Sequence, residues 1–269
     1  ISALSALHKQ GHTCITVMGS SAKDCDSSFA KALDDFSPEL VLAIGGDGLV
    51  HMAIQKLAQT SIALAILPAG TGNDFATAHA FSALDLAIAD RPKKKIDLGL
   101  ISAGERTEWF GQVLSTGFDS LVNRRANSFS LIKGRIKYTI ATLLELIAFK
   151  PIEYQLVIDG VSRSTKAMLV AVANGPTYGG GMQIVPSADY QDGQLDILVL
   201  KPVSKFELLK VFPKVFKGAH INHPAVEIIS AKSLFISGDT MAFADGEYID
   251  DLPIRVEVIP NALTLVDMR

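Results

Sequence analysis

Gly45-Gly46-Asp47-Gly48 stands directly after an apolar run at residues 40–44. Glycines in that place let backbone N–H groups approach an anion with no side chain between them, and the following helix presents its positive end. Phosphate is the natural ligand, although a structural turn would use the same glycines. Asp47 beside such a site is costly unless it holds a metal or accepts a proton from an attacking hydroxyl. A second loop, Pro68-Ala69-Gly70-Thr71-Gly72-Asn73-Asp74, follows the next apolar run. There Thr71 can donate to a phosphate, Asn73 can fix the loop and Asp74 adds a carboxylate. The plainer alternative is that Asn73 or Asp74 caps a helix beginning near Phe75.

Further along, Gly246 in Asp245-Gly246-Glu247 permits a backbone that points the Glu247 carboxylate into a cleft. An ordinary turn with solvated carboxylates accounts for it equally well, and the same holds for Asp192-Gly193. His220 and His223 lie three apart, but Pro224 favours loop histidines over a metal pair. His51, on a helix, reads as structural or exposed. Basic residues 124, 125, 133, 135 and 137 precede an apolar run at 138–149, and lysines recur at 201, 205, 210, 214 and 217. Both stretches read first as solvated faces of core-packed helices, with docking on anionic lipid as the alternative.

These loops need elements to hold them. The first half alternates helix and strand: a helix over 1–10, a β-like stretch at 14–18, a helix at 27–36, a strand at 40–44, a helix at 49–59 and a strand at 62–67. That order predicts a doubly wound parallel sheet, with both loops at carboxyl ends of neighbouring strands, where open α/β sheets bind ligands. After Lys93-Lys94-Lys95 the texture changes to short β-rich runs at 109–114, 154–159, 167–173, 195–200, 233–236 and 254–258. Turn residues separate them, as in a β-sandwich. Helices are expected at 135–149 and 204–217. The boundary falls near 91–96, giving an N-terminal Rossmann-like α/β domain at 1–93 and a C-terminal β-sandwich domain with inserted helices at 94–269.

The 269 residues accommodate one large domain or two smaller ones, and 48% apolar content suffices for a packed interior. A net charge of −3 gives no global attraction for nucleic acid, which is not expected as a partner. Cys14 and Cys25 form no disulfide framework or metal spacing, which points to a reducing compartment. No secretory signal is recognised, and the longest apolar helix candidate is about half the ~20 residues that span a bilayer. A soluble or peripheral protein is the expectation from composition, and the resemblance given below narrows it to a cytoplasmic one, peripheral at the membrane.

Taken together, the two glycine loops, the second continuing into Phe75-Ala76, resemble the nucleotide-binding core of the diacylglycerol kinase catalytic family. Within it they are similar to the soluble bacterial lipid kinases. The similarity continues in Thr116-Gly117-Phe118-Asp119, in Asn174-Gly175-Pro176 with Gly179-Gly180-Gly181-Met182, and in Pro186. It extends through Asp192-Gly193-Gln194-Leu195-Asp196 and Asp245-Gly246-Glu247, so the blocks cover about residues 11–266 in family order. The first block alone also occurs in NAD kinases and phosphofructokinases.

The resemblance implies ATP in a cleft between two domains. Gly45, Gly46, Asp47, Gly48, Thr71 and Asn73 would contact the nucleotide, with Ser20 matching a hydroxyl that precedes them. Glu247 matches the family's proposed general base. Asp192 matches a side-chain ligand of a structural Mg²⁺, and carbonyls of Asp189 and Gln194 match its other protein ligands. Asp47, Asp74 and Asp119 would form a carboxylate network, with Asp245 supporting it. The family's Asn-Pro-x-Ser-Gly-type loop has no match, and Ile1 is not an initiator methionine, so the natural start is expected to lie upstream. Leu49 and Met52 replace the bacterial Thr and Glu, and Leu49 with His51 leans toward the sphingosine-kinase branch, which keeps Asp47 as a rival base.

The implied activity is Mg²⁺-dependent transfer from ATP to the hydroxyl of a diacylglycerol-like lipid at a membrane surface. Phosphatidylglycerol and sphingoid acceptors follow diacylglycerol. An NAD kinase-like enzyme and a nucleotide-binding regulatory protein without catalysis are the alternatives, and a homodimer stays open.

Overall fold

The computed structural model describes residues 7–83, 85, 87–118, 121–122 and 150–269. Helix α1 (Ala22–Phe36) begins earlier than expected because Ser21 caps it, its side chain accepting the Asp24 N–H at 3.2 Å. Its Phe29 and Leu33 pack against the first core. Strands β1 (Leu40–Gly45) and β2 (Ala63–Pro68) pair in parallel, joined by α2 (Asp47–Leu57), which buries Val50, Ala53, Ile54 and Leu57. The register sets Gly45 opposite Pro68, so both glycine loops leave the sheet at one level. A short helix, α3 (Asp74–Ala78), follows the second loop.

The remaining strands are β3 (Lys93–Ala103), β4 (Arg106–Phe110), β5 (Val113–Gly117), β6 (Ile152–Ile158), β7 (Val161–Ala167), β8 (Leu169–Ala173), β9 (Leu195–Leu200), β10 (Val226–Ala231), β11 (Ser233–Ser237), β12 (Met241–Ala244), β13 (Glu247–Asp251) and β14 (Ile254–Val266). Helix α4 (Lys205–Val215) precedes β10. Among the described residues, one sheet runs β1-β2-β14-β11-β6-β7, with β3 paired to both β14 and β4. The other runs β10-β9-β8-β5-β12-β13, each pairing antiparallel. Between them lies a core that includes Phe110, Leu114, Tyr154, Val170, Ile197 and Val256. The protein is thus an α/β N-terminal sheet domain joined to a β-sandwich.

Strand β14 serves both halves. Its end lies parallel to β2, with Thr264 opposite Ala63, while its start pairs with β11. A register shift between Ile259 and Leu263 marks the crossing. The buried Asp97 on β3 stabilises that irregularity, accepting the Asn261 N–H at 2.8 Å.

Several expectations are corrected. Residues 12–19 form no strand, and Ile15 and Met18 are exposed. This leaves β1 at the sheet edge, so the run expected to be buried there ends in Ile44, which is 58% exposed. The run at 109–114 is two strands in different sheets, broken at Gly111-Gln112, and 167–173 likewise breaks at Met168. Both corners are buried and neither carries a run of exposed turn residues, so periodicity alone could not locate them. The helix at 204–217 forms as α4 despite Pro213. Residues 135–149, the basic run before them and Asp119 lie outside the described residues.

Candidate active site

The two glycine loops touch backbone to backbone. A Cβ on Gly70 would stand 2.5 Å from the Gly46 Cα, and one on Gly46 would stand 3.0 Å from the Gly70 Cα. Close approach, not an unusual φ, is what demands glycine here. Gly46 also occupies the N-cap of α2, so Asp47 and Gly48 open its first turn. Asn73, in the left-handed region at φ 58°, fastens the second loop. Its Oδ1 accepts the Gly70 N–H at 2.9 Å and its Nδ2 donates to the Gly70 carbonyl at 2.8 Å. The expected side-chain cap on α3 is therefore replaced by a loop clamp, and Thr71 is left exposed at the crest. Ser20 does not join this group through its described bonds. Its N–H and hydroxyl both donate to Asp24, at 2.8 and 2.9 Å, at the exposed start of α1.

Four of the predicted carboxylates have distinct surroundings. Asp47 turns into the second loop, accepting the Asn73 N–H at 2.8 Å, and a Cβ on Gly72 would lie 2.6 Å from its Oδ2. Burial, then the negative charge of Asp74, holds the Asp47 carboxyl above the usual carboxylate range. Asp74 is buried and accepts the N–H groups of Gly180 and Gly181 at 2.6 and 2.7 Å, which joins the glycine loops to the sandwich half. Asp245, in the turn between β12 and β13, accepts N–H bonds from Gly111, Gln112 and Val113 at 2.8, 2.9 and 3.2 Å. Two residues on, Glu247 is exposed, and its Oε1 lies 3.4 Å from where a Cβ of Gly48 would sit. The first turn of α2 and the Glu247 carboxylate thus face each other.

Of the two readings of His51, structural or exposed, the structure bears out the structural one. The side chain is buried one turn beyond Asp47, with Nε2 3.1 Å from Glu108 Oε1 and Nδ1 3.4 Å from Asp245 Oδ2. Burial alone would favour the neutral ring, but the hydrogen bonds and charges of Asp245 and Glu108 outweigh it and raise the pKa to about 10. The imidazolium therefore ties α2 to β4 and to the turn that carries Glu247. Its i+4 spacing from Asp47 on one helix face was the available signal. Because the folded pKa lies above the ordinary 6.5, this contribution is full below about pH 6.5 and is lost as pH rises through about 10. His51→Gln is expected to melt below the parent at pH 6, with the gap closing by about pH 10.5 in paired thermal melts.

The loop at 189–194 is held from behind. Asp97 Oδ2 accepts the Gly193 N–H at 2.8 Å, and Asn174 Nδ2 donates to the Asp97 and Gly111 carbonyls at 3.0 and 2.9 Å. Asp97 was not anticipated, although a lone acid in the apolar run around it was the clue. Asp189 and Asp192 are exposed and accept N–H bonds from Gln191 and Gln194 at 3.0 and 2.9 Å. Partial burial, followed by the charges of Asp196, Asp189 and Asp97, raises the Asp192 pKa against the pull of the Gln194 N–H. A cation would relieve that crowding. Among the described residues no three His, Cys, Asp or Glu side chains cluster as a metal cage, so any cation held here would take one carboxylate and backbone carbonyls and keep most of its water. His220 and His223 are not a metal pair: His220 Nε2 lies 2.9 Å from the Ile184 carbonyl, while His223 Nε2 lies 3.2 Å from Glu207.

Residues 2–101 match the diacylglycerol kinase catalytic domain, and residues 112–267 match the YegS C-terminal NAD kinase beta sandwich-like domain. A diacylglycerol kinase of Mycobacterium tuberculosis (strain ATCC 25618 / H37Rv) is 38% identical over 276 residues, covering 99% of this chain and 89% of that protein. A diacylglycerol kinase of Bacillus subtilis (strain 168) is 25% identical over 232 residues, covering 82% of this chain and 75% of that one. The crystal structure of a diacylglycerol kinase from Bacillus anthracis str. Sterne superposes with a TM-score of 0.75 at 22% identity, covering 99% and 91% of the two chains, and shows the same fold. The chain belongs to the diacylglycerol kinase catalytic-domain family of lipid kinases.

Proposed function

We propose that this kinase transfers the γ-phosphoryl group of ATP to the hydroxyl of a diacylglycerol-like lipid. The observation that carries the reading is the Glu247 carboxylate set against Gly48, at the amide-rich end of α2 where the two glycine loops meet. Amides of Gly45, Gly46 and Gly48, with the Thr71 hydroxyl, would receive the nucleotide phosphates, and Asn73 would keep their loop in shape. Glu247 takes the proton of the lipid hydroxyl as that oxygen bonds to the γ-phosphorus and the bond to the β-phosphate oxygen breaks, releasing ADP. Asp47 and Asp74 order the loops and would hold a nucleotide-bound Mg²⁺. That ion, when bound, neutralises charge developing on the phosphates. Residues 1–93 then supply the nucleotide side and 94–269 the acceptor side, and the setting is cytoplasmic and peripheral to a membrane. No helix among the described residues is long and apolar enough to cross one.

The test is incubation of the full-length protein with labelled ATP, Mg²⁺ and mixed micelles of candidate lipids. Label in an organic-extractable product, strongest with diacylglycerol, is expected. Label on NAD alone, or ATP binding without turnover, would reject the reading in favour of a soluble-substrate kinase or a regulatory protein. For the metal loop, Asp192→Ala is expected to weaken the Mg²⁺ dependence of turnover or to lower the melting temperature. An unchanged metal response together with unchanged melting removes Asp192 from the site.

A further inference from the structure

Helix α4 has two apolar faces, and the protein core uses only one. Leu208, Val211 and Val215 are buried, Leu208 in a cluster with Phe118, Ile184, Val185 and Leu200. On the opposite side Phe206, Leu209, Pro213 and Phe216 recur at spacings of three, four and three. Phe206 is 80% exposed, Leu209 45% and Phe216 47%, and Ile221 adds a further exposed apolar side chain in the next turn. A surface helix ordinarily places polar residues there, and a contiguous apolar ridge marks an interaction site. Lys210, Lys214 and Lys217 flank this ridge and form no ion pair among the described residues. Glu207 is the helix's one acid, and it faces His223 at 3.2 Å.

We propose that α4 docks the protein on an anionic lipid bilayer, with Phe206, Leu209 and Phe216 entering the headgroup boundary and Lys210, Lys214 and Lys217 meeting lipid phosphates. An apolar ridge with a cationic flank is complementary to that surface. A second copy of the chain is a poorer occupant, because the same face offers no acidic row for its lysines. The helix is also wired to the active site. The Gln183 N–H donates to the Val215 carbonyl at 3.0 Å, and Gly218 packs on Pro186. The same loop supplies the Gly180 and Gly181 amides that bind Asp74. The inference rests on the lipid-kinase reading, since a bilayer-borne acceptor gives the docking its purpose.

The test is co-sedimentation of the full chain, without nucleotide, with phosphatidylcholine vesicles that either contain or lack phosphatidylglycerol. Tighter binding to the anionic vesicles is expected. The triple variants Phe206→Ser/Leu209→Ser/Phe216→Ser and Lys210→Gln/Lys214→Gln/Lys217→Gln should each weaken it by about tenfold or more. Phosphorylation of a dispersed short-chain diacylglycerol should not change in either. Where a triple variant does not fold, Phe206→Trp reports instead, its emission shifting to the blue on anionic vesicles against the constant Trp109 background. Unaltered vesicle binding in the folded variants overturns the proposal, as does conversion of a dimer to a monomer with vesicle binding intact. Vesicle binding that depends on α4 upholds the docking even if no lipid is phosphorylated. Lipid phosphorylation with α4-independent binding sinks the docking and spares the kinase reading.

Discussion

Glu247→Gln is expected to cut phosphoryl transfer by roughly two to four decades, the usual range for losing a positioned general base. Nucleotide affinity and thermal stability should stay near the parent values. The substitution keeps shape, and the side chain is exposed at the start of β13, so little packing depends on its charge. What disappears is the carboxylate that faces the first turn of α2 across Gly48, the proton acceptor if Glu247 is the base. Asp47, the rival base, is placed differently. It accepts the Asn73 N–H and lies under Gly72, so its carboxylate is already engaged in shaping the second glycine loop. Asp47→Asn should therefore weaken nucleotide binding as well as turnover, whereas Glu247→Gln should lower kcat with the nucleotide Kd unmoved. Isothermal titration with ATP alongside steady-state kinetics separates the two patterns. Full activity in Glu247→Gln would transfer the role to Asp47.

Adjacency was legible in the sequence only in part. Two glycine loops after two apolar runs implied a shared anion site because parallel strands end at a common level, and the register of Gly45 against Pro68 supplies that geometry. The contact between Gly46 and Gly70 could not be read, since neither position needs an unusual φ and only the packed pair excludes a Cβ. Likewise Asp245-Gly246-Glu247 read as one turn with two acids, whereas the two carboxylates point to different tasks. Asp245, at φ 51°, folds back on three amides of the 111–113 corner, and Glu247 remains free to face α2. That corner was itself hidden inside an apparently continuous strand. The roles of Asp97 and His51 escaped for a related reason: each is a single polar residue whose partners, Gly193 and Asn261 or Glu108 and Asp245, lie far off in sequence. Local pattern carries information about neighbours along the chain, and these bonds join residues distant in sequence.

Removing Asp245 is expected to be the most damaging change to stability. Asp245→Ala leaves three N–H donors of the 111–113 corner without their carboxylate and strips the buried His51 imidazolium of one of its two counter-charges. Breaking a buried, hydrogen-bonded charge pair from one side typically costs about 3–5 kcal/mol. For a protein whose total stability is on the order of 5–15 kcal/mol, that is about a fifth of the margin or more. At roughly 2–4 °C per kcal/mol for chains near this size, the melting temperature should fall by about 10 °C. Catalysis should fall with it even below the melt, because the same turn sets Glu247 against Gly48. Asp245→Asn retains a carbonyl acceptor and should sit between the two. The decisive measurement is a double-mutant cycle with His51→Gln. If Asp245 and the imidazolium act as a pair, the double variant should be more stable than the sum of the single losses predicts, since no unpaired charge is left in the interior. Strict additivity, or an Asp245→Ala protein that melts with the parent, would show that the turn is held by something other than this carboxylate.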